Sequence, residues 1–358
     1  MIIFSPGPAN ISERVRRALT QPDIGHREEE FNWLLKDVKT LLAKALKIGD
    51  HSFEVVVFSG SGTLAIDSLL ACLTGWAKTL LVVSNGIYGE RAIDVARTYG
   101  VSVKELRLDW GKPPELVEIE REIKNPEIGG IYLVHHETTT GLLNPLKEVS
   151  LLAKRYDKLV VSDTISSIVG EHIDFGWGLD AILGTANKCF RGVPGVSFAI
   201  LSEDFLSVAK ERERRTYYSD LLTHLERGRK GETPFTPPVH ALFAFREALR
   251  ETLEEGVENR ISHYRDISGL LRAGLKEMGL SFFLPEELYS NTMTSVYLPT
   301  GVTYEELHDK IKRRGFIIYN SQGHLRGKVF MLGVVGVISD QDIRNFLAVL
   351  REVLEERM

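Results

Sequence analysis

The feature that most constrains the fold is an alternation of short apolar runs with helical stretches between Phe53 and Leu201. Runs that are apolar at every position are buried on both faces, which is typical of parallel strands covered by helices on both sides. Strand-like runs lie at 55–58, 79–83, 101–106, 130–134, 159–161, 181–183 and 196–201, and only 101–106 among them carries charged residues, Lys104 and Glu105. We therefore predict an α/β fold with a mostly parallel, seven-stranded sheet.

The regions outside this alternation have a different pattern. Residues 27–47 follow a Pro/Gly-rich arm and carry apolar side chains at helical spacing, which predicts an amphipathic helix. Beyond Pro238 a long helical segment over 239–275 leads into short strands and further helices, which predicts a compact α+β unit. We expect a large domain over 1–250, with an N-terminal arm over 1–15, and a small C-terminal domain over 251–358.

Composition excludes several classes of function. The net charge of -5 gives no reason to expect nucleic acid or an anionic membrane as a partner. The chain has only 2 cysteines, Cys72 and Cys189, which argues against a disulfide framework and fits a reducing compartment. The N-terminus lacks a signal-peptide pattern, and no apolar run is long enough to span a membrane. We expect a cytoplasmic enzyme acting on small molecules.

One lysine is placed to do chemistry. Lys188 follows the apolar run 181–184 and precedes a glycine- and proline-rich loop over 192–195. A primary amine at the end of a strand can form a Schiff base if its surroundings lower its pKa. Asp163 ends another apolar run, and a lysine with an aspartate is the pair that a pyridoxal cofactor requires. The plainer alternatives are a solvated lysine and an aspartate that caps a helix.

Two further motifs each follow a predicted strand. Ser61, Gly62 and Thr63 open a helix and expose backbone N–H groups suited to a phosphate, although an ordinary capped turn has the same pattern. This glycine spacing is neither the dinucleotide-binding nor the P-loop pattern. Tyr88, between two glycines, is placed to stack on a heterocycle or to close the core.

Two histidines precede a glutamate at 135–137 and suggest a metal site. Adjacent residues on an extended segment point to opposite sides, so His135 and His136 cannot easily share one ion. The metal reading is therefore the weaker one. Cys189 has no recognisable base, and a buried apolar role fits it better than a nucleophilic one.

Four ordered motifs together resemble those of the class V aminotransferases of pyridoxal-phosphate fold type I. Within this family the chain is most similar to the 2-aminoethylphosphonate–pyruvate aminotransferases, followed by the alanine or serine–glyoxylate enzymes. The resemblance extends from the N-terminal arm to about Tyr319. The motifs are Ser84-Asn85-Gly86-x-Tyr88-Gly89-x-Arg91, His135-x-Glu137-Thr138-Thr139-Thr140-Gly141, Asp163-x-x-Ser166-Ser167 and Ala186-Asn187-Lys188-Cys189-x-x-Gly192.

The resemblance implies a role for each matching residue. Lys188 would hold the aldehyde of pyridoxal 5'-phosphate and move the proton, while Asp163 would pair with the ring nitrogen. Thr236 matches a position that reaches the phosphate in the neighbouring subunit, which implies a homodimer with shared active sites. The remaining residues implied to contact the cofactor are Ser61, Gly62, Thr63, Tyr88, Thr138 and Ser166.

One departure from the family pattern concerns the substrate. Family members carry an arginine that clamps a carboxylate, and Met331 stands at the matching position here. A thioether cannot make the bidentate pair that an arginine makes. In this interpretation Arg326 or Lys328 takes over the role of the missing arginine, and Arg215 or Arg191 would bind a phosphonate group.

The resemblance implies transamination from 2-aminoethylphosphonate to pyruvate, giving phosphonoacetaldehyde and alanine. Alternatives with the same cofactor are an alanine or serine aminotransferase that uses glyoxylate or pyruvate, and a lyase acting on a related phosphonate. Cysteine desulfuration fits poorly, because no cysteine follows Cys189. A non-catalytic scaffold and a nucleotide-dependent enzyme remain as alternatives from other classes.

Overall fold

The computed structural model describes residues 1–48 and 53–356. Its N-terminal part contains one short strand and two helices. The amphipathic helix predicted over 27–47 is observed with slightly narrower bounds. The elements are β1 (Ile2–Ile3), α1 (Glu13–Ala18) and α2 (Glu29–Ala45).

A seven-stranded sheet forms the centre of the molecule, which confirms the predicted fold class. Its order is β2-β10-β9-β8-β5-β3-β4, and β10 alone runs antiparallel to its neighbours. Because the other strands run in one direction, their carboxyl ends meet along one edge of the sheet. The strands are β2 (Phe53–Ser59), β3 (Thr79–Ser84), β4 (Val103–Arg107), β5 (Ile128–Val134), β8 (Leu159–Asp163), β9 (Ala181–Thr185) and β10 (Val196–Ser202), and a small pair, β6 (His136–Glu137) and β7 (Leu142–Leu143), follows β5.

Helices cover both faces of this sheet, and the two apolar cores lie between them. In β3, Leu81 and Val83 belong to one core while Leu80 and Val82 belong to the other, as alternation along a strand requires. The helices of this part are α3 (Gly62–Ala71), α4 (Ile87–Thr98), α5 (Leu116–Ile123), α6 (Leu146–Lys154), α7 (Glu203–Lys210), α8 (Leu221–Arg229) and α9 (Val239–Glu255).

The C-terminal part is built on a separate antiparallel sheet of order β11-β14-β13. Helices pack against it, and their buried side chains include Ile343 and Phe346 of the last helix. The elements are α10 (Val257–Glu277), β11 (Met293–Tyr297), α11 (Tyr304–Arg313), β12 (Phe316–Ile317), β13 (Tyr319–Asn320), β14 (Val329–Gly333) and α12 (Asp340–Glu355).

The long helix predicted over 239–275 is instead two helices. Gly256 separates α9 from α10 and adopts a φ of 82°, a left-handed conformation that suits glycine and ends a helix. The predicted domain boundary at residue 250 falls inside α9 and stays a prediction. Within the described residues, no helix has the length and apolar character needed to cross a bilayer.

The N-terminal arm connects the two parts of the molecule. Strand β1 pairs in parallel with β12 of the C-terminal part, and the Phe4 carbonyl accepts from the Gly333 backbone N–H. Farther along the arm, the Ala9 N–H donates to the carbonyl of Asn187, beside Lys188. The arm therefore passes from the C-terminal part directly over the strand ends of the large sheet.

Candidate active site

A cavity of about 180 Å³ lies at the carboxyl edge of the large sheet. Each adjoining strand contributes the residues that follow its last position, which is where open α/β sheets bind ligands. The cavity brings together several residues that were selected from the sequence. Its lining is Ser61, Gly62, Thr63, Ile66, Tyr88, Arg91, Val134, His136, Asp163, Ile165, Ser166, Thr185, Asn187, Lys188, Pro194 and Gly195.

Lys188 reaches this cavity from the turn after β9. Its Nζ donates to the carbonyl of Pro6 at 2.5 Å, so the N-terminal arm holds the amine in place. Burial lowers the pKa of Lys188 to about 8, although the nearby Asp163 charge favours the protonated form. A fraction of the amine is therefore neutral near physiological pH and able to act as a nucleophile or base.

Asp163 is the last residue of β8 and is 4 % exposed. Its Oδ1 accepts from the Ile165 backbone N–H at 2.9 Å, which fixes the carboxylate at the strand end. Burial raises the pKa of Asp163 to about 6, and the charges of Lys188 and Arg91 oppose that rise. The group is therefore mostly ionised at neutral pH and can stabilise a positive charge in the cavity.

One end of the cavity is suited to an anion. Ser61 is the N-cap residue of α3, and its hydroxyl makes no capping bond, so both it and the first backbone N–H groups of the helix face the cavity. Arg91 of α4 donates to the Thr63 Oγ1 at 3.3 Å. The helix N-terminus and this guanidinium together favour a phosphate at this end.

Tyr88 and Thr138 approach each other beside the cavity. Tyr88 lies in the first turn of α4, where burial raises the pKa of its phenol and the neighbouring Thr138 hydroxyl, on a residue that is 3 % exposed, opposes that rise. The Arg91 guanidinium lies 4.7 Å from the centroid of the Tyr88 ring. This ring therefore has an aromatic face at the cavity and fixed polar neighbours around it.

The histidines after β5 make hydrogen bonds with serines. The His135 ring bonds the Ser167 hydroxyl at 3.0 Å, and His136 bonds the Ser166 carbonyl and the Ser290 hydroxyl. Burial lowers the pKa values of His135 and His136 to about 3 and about 4, so both rings are neutral. In the part of the chain that the structure describes, no three His, Cys, Asp or Glu side chains are grouped to hold a metal ion.

Cys189 lies beside Lys188 but is enclosed. Its Sγ contacts the Ser166 carbonyl at 3.4 Å, and burial raises the pKa of the thiol to about 12. A thiol with that pKa is protonated at neutral pH and is a poor nucleophile.

Six residues selected from the sequence, Thr138 and Arg191 among them, lie outside the cavity lining. Arg326 and Lys328 are exposed, and Arg215 is an exposed partner of Glu213. Thr236 is exposed beside a group of aromatic rings. The substrate roles of the three cations and the cofactor role of Thr236 stay predictions.

Arg191 is buried behind the Lys188 turn. It donates to the Tyr264 hydroxyl and pairs with Glu255, which Arg260 also contacts. Arg260 in turn donates to the carbonyls of Cys189 and Phe190. This cluster braces the backbone after Lys188, so the Arg191 guanidinium is engaged there and not in the cavity.

Met331 occupies the middle of β14. Its neighbours Phe330 and Leu332 face the apolar core, so Met331 faces the opposite side of the sheet. Its cross-strand partner Ser295 donates to the carbonyl of Thr140 at 2.8 Å. Met331 is therefore on the face of the small sheet that meets the segment after β6.

Sequence reasoning missed the contribution of Arg91 and the arm carbonyl of Pro6. Arg91 follows Tyr88 by three positions, and this helical spacing puts both on one face of α4. That spacing was readable within the quoted motif. The contact between Pro6 and Lys188 spans 182 positions, and no local pattern predicts it.

The cavity fits pyridoxal 5'-phosphate. Lys188 supplies an amine with a lowered pKa, Asp163 supplies a buried carboxylate, and the start of α3 supplies donors for a phosphate. These three features lie in one cavity and match the aldehyde, the ring nitrogen and the phosphate of the cofactor.

Comparisons with known proteins agree with this geometry. The family model for "Aminotransferase class-V" matches residues 10–333. A 2-aminoethylphosphonate–pyruvate transaminase from Klebsiella pneumoniae is 33% identical over 98% of this chain and 96% of its own length.

Two solved structures are similar over nearly the whole chain. The aspartate aminotransferase of subgroup IV from Thermus thermophilus is 29% identical, with a TM-score of 0.90 over 100% of both chains. The ureidoglycine–glyoxylate aminotransferase from Bacillus subtilis is 28% identical, with a TM-score of 0.92 over 99% of this chain and 92% of its own. These similarities confirm the predicted fold type I.

Proposed function

The chain belongs to the class V aminotransferases, and on this premise we propose that it transfers the amino group of 2-aminoethylphosphonate to pyruvate. The products would be phosphonoacetaldehyde and alanine. The chain is a pyridoxal-phosphate-dependent enzyme that acts on a small amino donor and a keto acid. The observation that carries this proposal is the meeting of Lys188 and Asp163 in one cavity with a phosphate-binding helix start.

The cofactor, when bound, supplies an aldehyde for the amino group and a ring that accepts electrons. Lys188 is the base in this proposal: its Nζ takes the proton from the substrate carbon that bears the amino group and returns it on the cofactor side. A pKa of about 8 allows the amine both to take up this proton and to give it back, because the amine is readily protonated and deprotonated near neutral pH. Asp163 stabilises the positive charge on the ring nitrogen.

The other lining residues would orient the cofactor. Ser61, Gly62 and Thr63 line the cavity at the start of α3 and would donate hydrogen bonds to the phosphate, and Arg91 would add a positive charge there. Tyr88 lines the cavity and would lie against the cofactor ring, with Thr138 beside its phenol. Ser166 lies at the opposite wall, next to Asp163.

The choice of substrate is supported by similarity over nearly the full chain. The relative from Klebsiella pneumoniae bears the name of this reaction and shares 33% identity. The solved relatives act on other donors, aspartate and ureidoglycine, so the family resemblance alone allows several amines.

We also propose that the active unit is a homodimer. Thr236 does not line the cavity of its own subunit and is exposed, so it is available to a second copy. The neighbouring Tyr217 and Tyr218 are 75% and 47% exposed, an unusual exposure for aromatic side chains. Sedimentation equilibrium would test the dimer, and a Thr236→Ala variant with weaker cofactor binding but an intact dimer would support the shared site.

The reaction is tested with the purified, cofactor-loaded protein. With 2-aminoethylphosphonate and pyruvate we expect alanine to accumulate in equal amount to phosphonoacetaldehyde, measured by mass spectrometry. Matched incubations replace the donor with alanine, serine or aspartate, and the acceptor with glyoxylate. A clear preference for one of those pairs would overturn the proposed substrate and leave the aminotransferase assignment intact.

Met331 favours a second candidate, a lyase acting on a related phosphonate. An apolar side chain on the face toward Thr140 gives no bidentate contact for the carboxylate of a keto acid. If release of inorganic phosphate or another fragment from the phosphonate exceeds alanine formation, the lyase replaces transamination.

A further inference from the structure

The mechanism leaves Glu137 without a role, although this glutamate is 0% exposed next to the cavity. It ends β6, and its side chain crosses to the first turn of α4. There Oε2 accepts from the backbone N–H of Tyr88 at 3.1 Å and of Gly89 at 3.4 Å. The carboxylate therefore binds the part of the helix that presents the Tyr88 ring.

The second carboxylate oxygen binds the segment after β6. Oε1 accepts from the backbone N–H of Thr139 at 3.2 Å and from its hydroxyl at 2.6 Å. The preceding residue is Thr138, whose hydroxyl is close enough to the phenol of Tyr88 to oppose the rise that burial causes in the pKa of that phenol. One side chain thus joins the two backbone segments that carry Tyr88 and Thr138.

The sequence of α4 explains why this bond is needed. The N-cap position of α4 is Gly86, which has no side chain to satisfy the first N–H groups of the helix. The carboxyl group supplies the missing acceptor, and it is partly ionised at neutral pH because burial raises its pKa to about 7 while its hydrogen bonds oppose that rise. Within residues 1–48 and 53–356, no salt bridge involves Glu137, so its polar partners are the hydrogen-bond donors of Thr139 and of the start of α4.

The close approach of the carboxylate also requires Gly86. A Cβ added at this position would lie 2.3 Å from both Cγ and Cδ of Glu137. Neither atom could move far, because the carboxylate is bonded on both sides. Glycine at 86 and glutamate at 137 therefore form a matched pair.

We propose that Glu137 is a positioning residue that fixes the Tyr88 ring and the Thr138 hydroxyl relative to each other at the cofactor. The proposal rests on the part of the proposed function in which Tyr88 covers the cofactor ring. Glu137 touches neither cofactor nor substrate and acts only through the two segments that it joins.

The test measures binding of pyridoxal 5'-phosphate to cofactor-free protein, together with the visible circular dichroism of the bound form. In Glu137→Gln an amide NH₂ replaces one acceptor oxygen, so one of the two segments loses its bond. We expect roughly tenfold weaker binding and a reduced visible dichroism band, because a hydrogen bond to a charged group is lost. Asp94→Asn is the matched control, since Asp94 lies on the same helix and is exposed, and its substitution removes the same charge.

A double-mutant cycle separates positioning from general stability. In a Tyr88→Ala background, Glu137→Gln should weaken cofactor binding clearly less than it does alone, because the Tyr88 ring, one of the two groups that it positions, is gone. Equal effects of Glu137→Gln in both backgrounds would overturn the proposal, as would unchanged binding in the single variant. Should Glu137→Gln not fold, Gly86→Ala displaces the same carboxylate and is measured in its place.

This experiment measures cofactor binding and not the rate of catalysis. If the cycle gives the expected result while no amine is transferred, the positioning role stands and the proposed reaction fails. If transfer occurs but Glu137→Gln binds the cofactor normally, the positioning role fails and the reaction stands.

Discussion

The large sheet and the small sheet hold the residues selected for function in different ways, and none of the described residues of the small sheet lines the cavity. On the large-sheet side, Lys188 and Asp163 sit at the ends of buried strands, and backbone bonds or packing fix each of them. On the small-sheet side, β14 presents the apolar Met331, while Arg326 and Lys328 are exposed. Strand geometry therefore fixes the two groups that we propose to act on the cofactor, whereas the cations that we propose to bind the substrate lie on exposed segments outside the strands. The following substitutions and measurements test this difference.

The largest effect is expected for Lys188→Ala. Removal of the amine eliminates the group proposed to move the proton, so we expect the rate of alanine formation to fall by on the order of 10⁴-fold. The measurement is single-turnover kinetics with the amino donor. Lys147→Ala, at an exposed lysine of α6, is the control, and a near-normal rate in Lys188→Ala would remove Lys188 from the mechanism.

Asp163→Ala should have the next largest effect. Loss of a buried charge partner raises the barrier by about 3 kcal/mol in a dry site, which is roughly a hundredfold decrease in kcat. Because Asp163 also accepts from the Ile165 backbone, thermal unfolding of the variant is measured alongside its kinetics. A variant with normal stability and normal kcat would contradict the role of this carboxylate.

Arg91→Gln tests the phosphate end of the large-sheet side. We expect about tenfold weaker binding of pyridoxal 5'-phosphate, because a charge-assisted bond is lost, and little change for pyridoxal, which lacks the phosphate. Arg97→Gln is the control, since Arg97 lies on the same helix and pairs with Glu105 at the surface. Equal weakening for both cofactors would show that Arg91 does not act at the phosphate.

The lowered pKa of Lys188 predicts how cofactor capture depends on pH. With a pKa of about 8, the neutral fraction of the amine rises about tenfold between pH 7 and 9 and then levels off. The rate of association of pyridoxal 5'-phosphate with cofactor-free protein, followed by stopped-flow absorbance, should depend on pH in the same way. A rate that keeps rising steeply beyond pH 9 would mean that the amine has an ordinary pKa.

The smallest effects are expected on the small-sheet side. Exposed cations contribute at most about 1 kcal/mol, so Arg326→Gln and Lys328→Gln should each raise KM for pyruvate by about two- to threefold. Arg344→Gln, an exposed arginine on α12, is the control for a general change of charge. A tenfold or larger rise in KM for either variant would place that cation in direct contact with the substrate.

The sequence predicted the sheet because its strands are continuous apolar runs. Lys188 and Asp163 were identified because polar residues after such runs meet at one edge of a parallel sheet. The break at Gly256 was missed, since the apolar periodicity continues across it and a single glycine inside a helical pattern is often tolerated. Glu137 was visible as part of a motif, but its bond to α4 depends on how two distant segments meet.

The path of the first ten residues has a mechanical consequence. Ile2 and Ile3 form a strand with the C-terminal part, Pro6 accepts from the Lys188 amine, and Ala9 is bonded to Asn187. Any rotation of the C-terminal part relative to the large sheet must therefore pull on a short tether that ends at the reactive nitrogen. An affinity tag or deletion at this terminus would alter that tether, whereas the same change after α12 would leave it intact.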